Sequence, residues 1–184
     1  MNRTCACGAS RTLPAGTNVD GIGFNKVAIL PPGTRDSVTD AMNRHFTPSP
    51  LGNLPCGTCN MSQPFTESIH IEGSPEYLRI KLSIVHQGAK NFNPVVLNEY
   101  LDLAQYQTVG GNPPSLKYRL SSVLSHCGRH LNSGHWLASA RGPDQVFYIN
   151  DATVTQQDAP SRLRANPQMK SQAVVLMYRR VHTR

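Results

Sequence analysis

The stretch Ser133-Gly134-His135-Trp136-Leu137-Ala138-Ser139-Ala140-Arg141, followed after Gly142-Pro143-Asp144-Gln145 by Val146-Phe147-Tyr148-Ile149-Asn150-Asp151, constrains the fold more than any other part of the chain. Two runs of strand composition flanking a Gly-Pro-Asp turn predict a β-hairpin, and a hairpin fixes a register. With Arg141 facing Val146, counting back pairs Leu137 with Asn150 and Trp136 with Asp151. His135 shares a face with Leu137, because side chains alternate along a strand. Asn150 therefore lies diagonally across from His135 on the same side, at roughly 7–8 Å between backbones, within side-chain reach. Asp151 points to the other face or to the rim. An imidazole with one nitrogen held by an amide oxygen keeps the other free to take a thiol proton, so His135 and Asn150 are candidates for a base and its orienting group. The bland alternatives are an ordinary polar residue at a strand edge and an Asn-Asp turn pair.

Composition sets limits on the rest. Of the 184 residues, 39% are hydrophobic and 16% charged, which is neither a disordered nor a membrane-spanning profile. No apolar run approaches the roughly 18 residues that a spanning helix needs, so no membrane association is expected. Asn2, Arg3 and Thr4 follow Met1 with no apolar core behind them, so no secretory signal is read and a cytoplasmic or nuclear location is expected. The net charge of +7 is scattered, and its densest cluster is Arg179, Arg180, His182 and Arg184 with one aromatic beside it. A nucleic-acid partner is therefore not expected. Five Cys without an export signal argue for metal binding or reactive thiols over a disulfide framework.

Along the chain, Thr4-Cys5-Ala6-Cys7-Gly8 is followed by a region rich in Gly, Pro and Thr that runs to about Gly23 and reads as loop. Phe24 to Leu30 reads as a strand closed by Pro31-Pro32-Gly33. A helix then starts at Asp36 or Ser37, carries Val38, Ala41, Met42 and His45 or Phe46 on one stripe, and ends before Pro48 and Pro50. Cys56-Gly57-Thr58-Cys59 has the spacing of a metal knuckle, and with Cys5 and Cys7 upstream it makes a four-thiolate site conceivable. The other reading is a set of free, partly buried thiols. The one-residue spacer of Cys5-x-Cys7 makes a poorer knuckle than two, and that pair lies close to the start of the chain.

From Tyr77 to Val85 apolar residues alternate strictly, with Leu78, Ile80, Leu82 and Ile84 on one face. Shorter apolar pieces follow at Pro94 to Leu97 and Tyr100 to Leu103, and then a loop at Gly110-Gly111-Asn112-Pro113-Pro114. Tyr118 to Ser125, Trp136 to Ala140, Val146 to Ile149 and Ala173 to Tyr178 all read as strands. The class is α+β, dominated by an antiparallel sheet.

Tyr118 to Gly128, Ser133 to Trp136, Tyr148 to Val154 and Ala173 to Arg180 resemble, in order and spacing, the consecutive His-box blocks of ubiquitin-specific proteases. Pro75 to Leu82 resembles that family's strand after the zinc ribbon, and the preceding strand, helix and Cys56-x-x-Cys59 resemble its fingers. The resemblance implies a papain-like cysteine protease fold of fingers, palm and thumb. Residues 1–70 would be the zinc-ribbon and fingers part, and 71–184 the palm with its His box. It implies thiol-dependent hydrolysis of ubiquitin isopeptide bonds, with ubiquitin or a ubiquitinated protein as partner. His135 matches the general base, Asn150 the orienting residue, and Asp151 a second polar group beside it. Cys127 to Gly134 matches a blocking loop near the ubiquitin tail, and Trp136 stands where the family usually has Tyr. Zinc, held by Cys5, Cys7, Cys56 and Cys59, would be structural.

The chain departs from that pattern twice. Cys5-x-Cys7 replaces a Cys-x-x-Cys knuckle, and the family's Cys box, a Gly-Asn-Thr-Cys-Tyr-Met-Asn-like run, is not recognisable, so the helical thumb is read as missing. Gly57-Thr58-Cys59-Asn60-Met61-Ser62 has a passing likeness to that box, but Pro64 interrupts the helix whose N-terminus would activate the thiol. The chain alone is therefore expected to be inactive. The alternative function is a non-catalytic module that binds ubiquitin or another protein.

Overall fold

The structure, a computed structural model, describes residues 1–12, 22–31, 33–71, 73, 75–107, 116–157, 163 and 172–182. In chain order the strands are β1 (Asn2–Cys5), β2 (Ser10–Thr12), β3 (Ile22–Ala28) and β4 (Asp36–Ser37), followed by helix α1 (Val38–Phe46). Then come β5 (Ser49–Pro55), β6 (Ser62–Ser68), β7 (Tyr77–Ser83), β8 (Val85–His86), β9 (Ala89–Lys90), β10 (Val95–Val96) and β11 (Tyr100–Asp102). A 3-10 turn (Ala104–Tyr106) leads to β12 (Lys117–Cys127), β13 (His135–Arg141), β14 (Val146–Asn150), β15 (Thr153–Gln157) and β16 (Ala173–Arg180).

The alternating and continuous apolar runs assemble into one large sheet in the order β15-β14-β13-β12-β16-β7-β3, with β11 added on β12. Its pairings are antiparallel except for β3 with β7. Along β7 the predicted alternation holds, with Leu78, Ile80 and Leu82 buried and Tyr77, Arg79 and Lys81 exposed. These meet Leu120, Val123, Leu176 and Tyr178, all at 0% exposure. Full burial of one such side chain stabilises by about 1.5–3 kcal/mol, so this seam is the main apolar store of the molecule.

Helix α1 covers that core with Val38, Ala41, Met42 and Phe46. Of the two candidate caps, Ser37 is the one used, its Oγ accepting from the Asp40 N–H at 3.0 Å. Asp36 is instead buried, its carboxylate accepting from the N–H groups of Leu30 and Ser37 and from the Arg44 guanidinium at 2.7 Å. A buried carboxylate satisfied from three sides ties the end of β3 to the helix.

A second sheet, β2-β1-β6-β5, carries few buried apolar side chains. The stretch expected as loop from after Gly8 to about Gly23 is therefore partly wrong, because β2 pairs with β1 there and β3 already begins at Ile22. Gly8 at φ 90° makes the tight turn that a branched side chain would oppose. The loop readings at 13–21 and at 110–114, and Pro32 of the breaker, lie outside the described residues. The basic run near the C-terminus is not a free patch. Arg179, Arg180 and His182 all turn onto Glu76, at 3.1, 3.6 and 2.8 Å. Among the described residues no helix is long and apolar enough to cross a membrane.

Candidate functional site

Two places on this scaffold gather chemically capable side chains. The first is the edge of the large sheet where β13 begins and β14 ends. Arg141 pairs with Val146 and Ala138 with Ile149, which is the register counted from the turn, and the turn closes through the Gly142 N–H on the Gln145 carbonyl at 2.9 Å. His135, the first residue of β13, and Asn150, the last of β14, project toward each other, with Nε2 2.5 Å from Asn150 Oδ1. An amide oxygen can only accept, so Nε2 carries the proton and donates it. Nδ1 is then the lone-pair nitrogen, free of that contact and able to take a proton from an incoming thiol.

Asp151 occupies the turn between β14 and β15 at φ 50°, a left-handed conformation that Asp tolerates better than most residues. Its Oδ2 stands 3.8 Å from the same Nε2, with the side chain 78% exposed. The structure thus brings His135 and Asn150 into direct contact and leaves Asp151 at the rim, one step further away.

Opposite His135 in the ladder is Cys127. Cross-strand partners share a face, yet this thiol is only 8% exposed and belongs to the apolar cluster. Beyond Cys127 the chain leaves the sheet at Gly128 and returns at Gly134, the segment read as a blocking loop. At its base lie Lys90, His126 and Gln172, to which the spacing of the sequence gave no functional signal.

The second place joins the β1–β2 turn to the turn after β5. Cys5, Cys7, Cys56 and Cys59 bring their four Sγ atoms within 4.8 Å of one another, and Cys7 Sγ lies 3.8 Å from Cys56 Sγ. Thiolates around a tetrahedral ion at about 2.3 Å would be about 3.8 Å apart, so the spacing and donor set suit a metal ion of thiolate preference. The one-residue spacer of Cys5-x-Cys7 works because the chain folds back at once, with Cys5 N–H donating to the Ala9 carbonyl and Gly8 N–H to the Cys5 carbonyl.

Backbone N–H groups of Cys59 and Thr58 point at Cys56 and hold its thiol down to about 6. The N–H of Cys7 likewise draws on Cys5, but burial and the neighbouring thiols of Cys7 and Cys56 outweigh it and push Cys5 up to about 12. Four thiols cannot ionise side by side without a cation to share their charge.

The sequence profile of the family described as "Ubiquitin carboxyl-terminal hydrolase" matches residues 5–178. Ubiquitin carboxyl-terminal hydrolase 17-like protein E of Mus musculus is 32% identical over 126 residues, which are 67% of this chain and 22% of that protein. Ubiquitin carboxyl-terminal hydrolase 3 of Homo sapiens is 31% identical over 117 residues, 60% of this chain and 22% of that protein. The chain therefore spans about a fifth of these relatives.

Among solved structures, the SAGA DUB module of Ubp8, Sgf11, Sus1 and Sgf73 bound to monoubiquitin superposes with a TM-score of 0.75 at 22% identity, over 100% of this chain and 40% of that one. The same module bound to ubiquitin aldehyde gives a TM-score of 0.74 at 21% identity. These two establish the likeness of fold. With a family profile that runs from the first cysteine of the thiol cluster to the last strand of the sheet, the chain belongs to the ubiquitin carboxyl-terminal hydrolase family, of the ubiquitin-specific protease type.

Proposed function

We propose that this chain supplies the base half of a cysteine-type deubiquitinase site and needs a Cys-box segment for hydrolysis. The observation that carries this reading is the contact of His135 Nε2 with Asn150 Oδ1 at 2.5 Å on an exposed sheet edge. In the reaction a thiolate attacks the isopeptide carbonyl, His135 Nδ1 having taken the thiol proton and later giving it to the departing lysine amine. Asn150 holds the ring and its tautomer, and Asp151 adds negative potential at the rim. Base and orienter without a nucleophile have no covalent route, so the isolated 184 residues would not turn over substrate.

In this reading the fingers are the β2-β1-β6-β5 sheet, which lies within residues 1–70, and the palm is 71–184, but β3 and α1 depart from that division, β3 pairing with β7 in the palm sheet and α1 packing on its core. Zinc held by Cys5, Cys7, Cys56 and Cys59 would cross-link the fingers and take no part in the chemistry. Ubiquitin is the partner expected from the relatives, since the solved neighbours are described as bound to monoubiquitin or ubiquitin aldehyde.

Joining the chain to the amino-terminal half of a relative's catalytic domain should restore cleavage of a fluorogenic ubiquitin substrate, abolished by His135→Ala. The isolated chain should remain unlabelled by ubiquitin-propargylamide. Labelling of the isolated chain at Cys59 or Cys127 would overturn the assignment, because one of these would then be a nucleophile.

The second reading, a ubiquitin- or protein-binding module without catalysis, draws on the exposed side chains of Trp136 at 49% and Leu131 at 43%, close to the site in sequence. It predicts ubiquitin binding that His135→Ala does not weaken and a fusion that stays inactive.

A further inference from the structure

Lys90, at the end of β9, is only 8% exposed. Burying an ammonium group is costly unless its hydrogens are taken up, and burial pushes its pKa below the usual lysine value. Its hydrogen-bond partners among the described residues contain no carboxylate. The ammonium donates to the carbonyl of His126, donates to the carbonyl of Gly128 at 2.7 Å, lies 3.4 Å from His126 Nδ1, and sits 5.2 Å from the centre of the Phe92 ring.

The two carbonyls belong to the residues on either side of Cys127, and Cys127 is the cross-strand partner of His135. The described pairing of β13 with β14 begins only at Ala138 with Ile149. The first residues of β13 are thus placed by the end of β12, and the end of β12 is what Lys90 holds. Above it the 128–134 loop narrows to a neck. Gly128 stands at φ 134°, its N–H donates to Gln172 Oε1 at 2.9 Å, and a Cβ added to it would lie 3.0 Å from Gly134 Cα. A Cβ added to Gly134 would come within 2.5 Å of His126 Nε2, so the His126 ring fills the underside of the neck, with Trp136 beside it at 4.7 Å between centroids.

We propose that Lys90 is a positioning residue: by binding the carbonyls that flank Cys127, its ammonium pins the neck of the 128–134 loop and sets where the His135 imidazole stands against Asn150. The inference rests on His135 being the functional imidazole, but the geometry it asserts is separable from turnover. Lysine suits the task because its three donors radiate from one atom and need no planar partner. A methionine of similar length fills the space and leaves both carbonyls without a donor.

The test compares the full chain with K90M and K90R by hydrogen exchange and by imidazole nitrogen NMR. In K90M, amides of 128–136 should exchange at least tenfold faster while those of β7 and β16 stay within twofold of the parent. The resonance of the His135 Nε2 proton bonded to Asn150 should broaden or vanish. K90R, which keeps charge and donors, should recover most of the loop protection. Unchanged exchange at 128–136 in K90M would overturn the proposal, as would equal loss of protection in β7 and β16, since Lys90 would then be a general core residue. Neither readout uses catalysis, so a failure of the deubiquitinase reading shows separately, as an inactive fusion with an intact loop.

Discussion

If the four-cysteine cluster holds a metal ion, stripping it should melt the β2-β1-β6-β5 sheet and spare the large sheet. In the sheet of β1, β2, β5 and β6 the apolar positions Leu51, Leu54 and Phe65 are only half-buried, and the well-buried side chains at its tip are Cys5 at 2% and Cys56 at 6%. Three half-buried side chains contribute roughly 1 kcal/mol each, whereas ordering each backbone residue costs about 1–2 kcal/mol. That sheet cannot stand on apolar burial. A zinc ion on four thiolates contributes about 10–16 kcal/mol in small zinc-finger peptides, several times what those three side chains supply.

The check is metal analysis of the purified chain followed by hydrogen exchange with and without a chelator. One equivalent of metal is expected, and its removal should expose amides of 2–12 and 49–68 while β7, β12 and β16 keep their protection. Replacing Cys56 with Ser should reproduce the chelated state, and Cys7→Ser should weaken it less, since Cys7 is exposed. If the fingers stay protected without metal, the thiols are not what holds that sheet, and the apolar accounting is wrong.

Three further outcomes are expected. In the active fusion, Asn150→Ala should lower kcat on the order of 10²-fold with KM little changed, while Asn150→Asp retains most activity, because an oxygen still accepts from Nε2; steady-state kinetics read the split. Leu176→Ala, at a side chain of 0% exposure in the centre of the sheet, should destabilise the chain by about 2–5 kcal/mol in urea unfolding, with an unchanged m-value. Glu76 is held below the usual carboxylate range, first by its hydrogen bond from Arg179 and further by His182. Its folded-state pKa is the lower one, so its contribution is fully present above about 4.5 and is lost as pH falls through the depressed value. For a partly exposed group whose partners reach into solvent the contribution is under about 1 kcal/mol, read as a stability gap between the parent and Glu76→Gln that is present at pH 7 and closes in acid.

What the sequence revealed of this fold follows from where side chains are buried. Strict alternation along β7 and the continuous runs of β12 and β16 mark strands that bury one face or both, and their places were legible. The β2-β1-β6-β5 sheet was not. Strand β5 contains Pro50, Gly52 and Pro55, residues that argue against a strand, and it pairs with β6 through a bulge between Pro50 and Gly52. Strand β15 is exposed over Thr153 to Gln156, as an edge strand can be, and its single apolar residue, Val154, faces out, so it carries no period to detect. The same polarity blurred the choice of cap on α1, where Asp36 and Ser37 look alike in sequence and only packing sends one inward.

The two candidate sites divide along the same line. His135 and Asn150 could be placed before any coordinates because a short hairpin turn converts sequence distance into spatial distance, and no other contact has to be known. The thiol cluster was legible as residue types, but its Cys5-x-Cys7 arm looked defective until the fold-back from Cys5 to Ala9 showed how a one-residue spacer still presents both sulfurs. Lys90 gave no signal at all. Its main partners are carbonyl groups, which every residue carries and no sequence pattern distinguishes. A cation held by two carbonyls and an imidazole, with no carboxylate, cannot be found by looking for its counter-ion. Burial without a carboxylate partner is therefore the feature that separates Lys90 from the arginines on Glu76 and Glu99, whose partners are carboxylates.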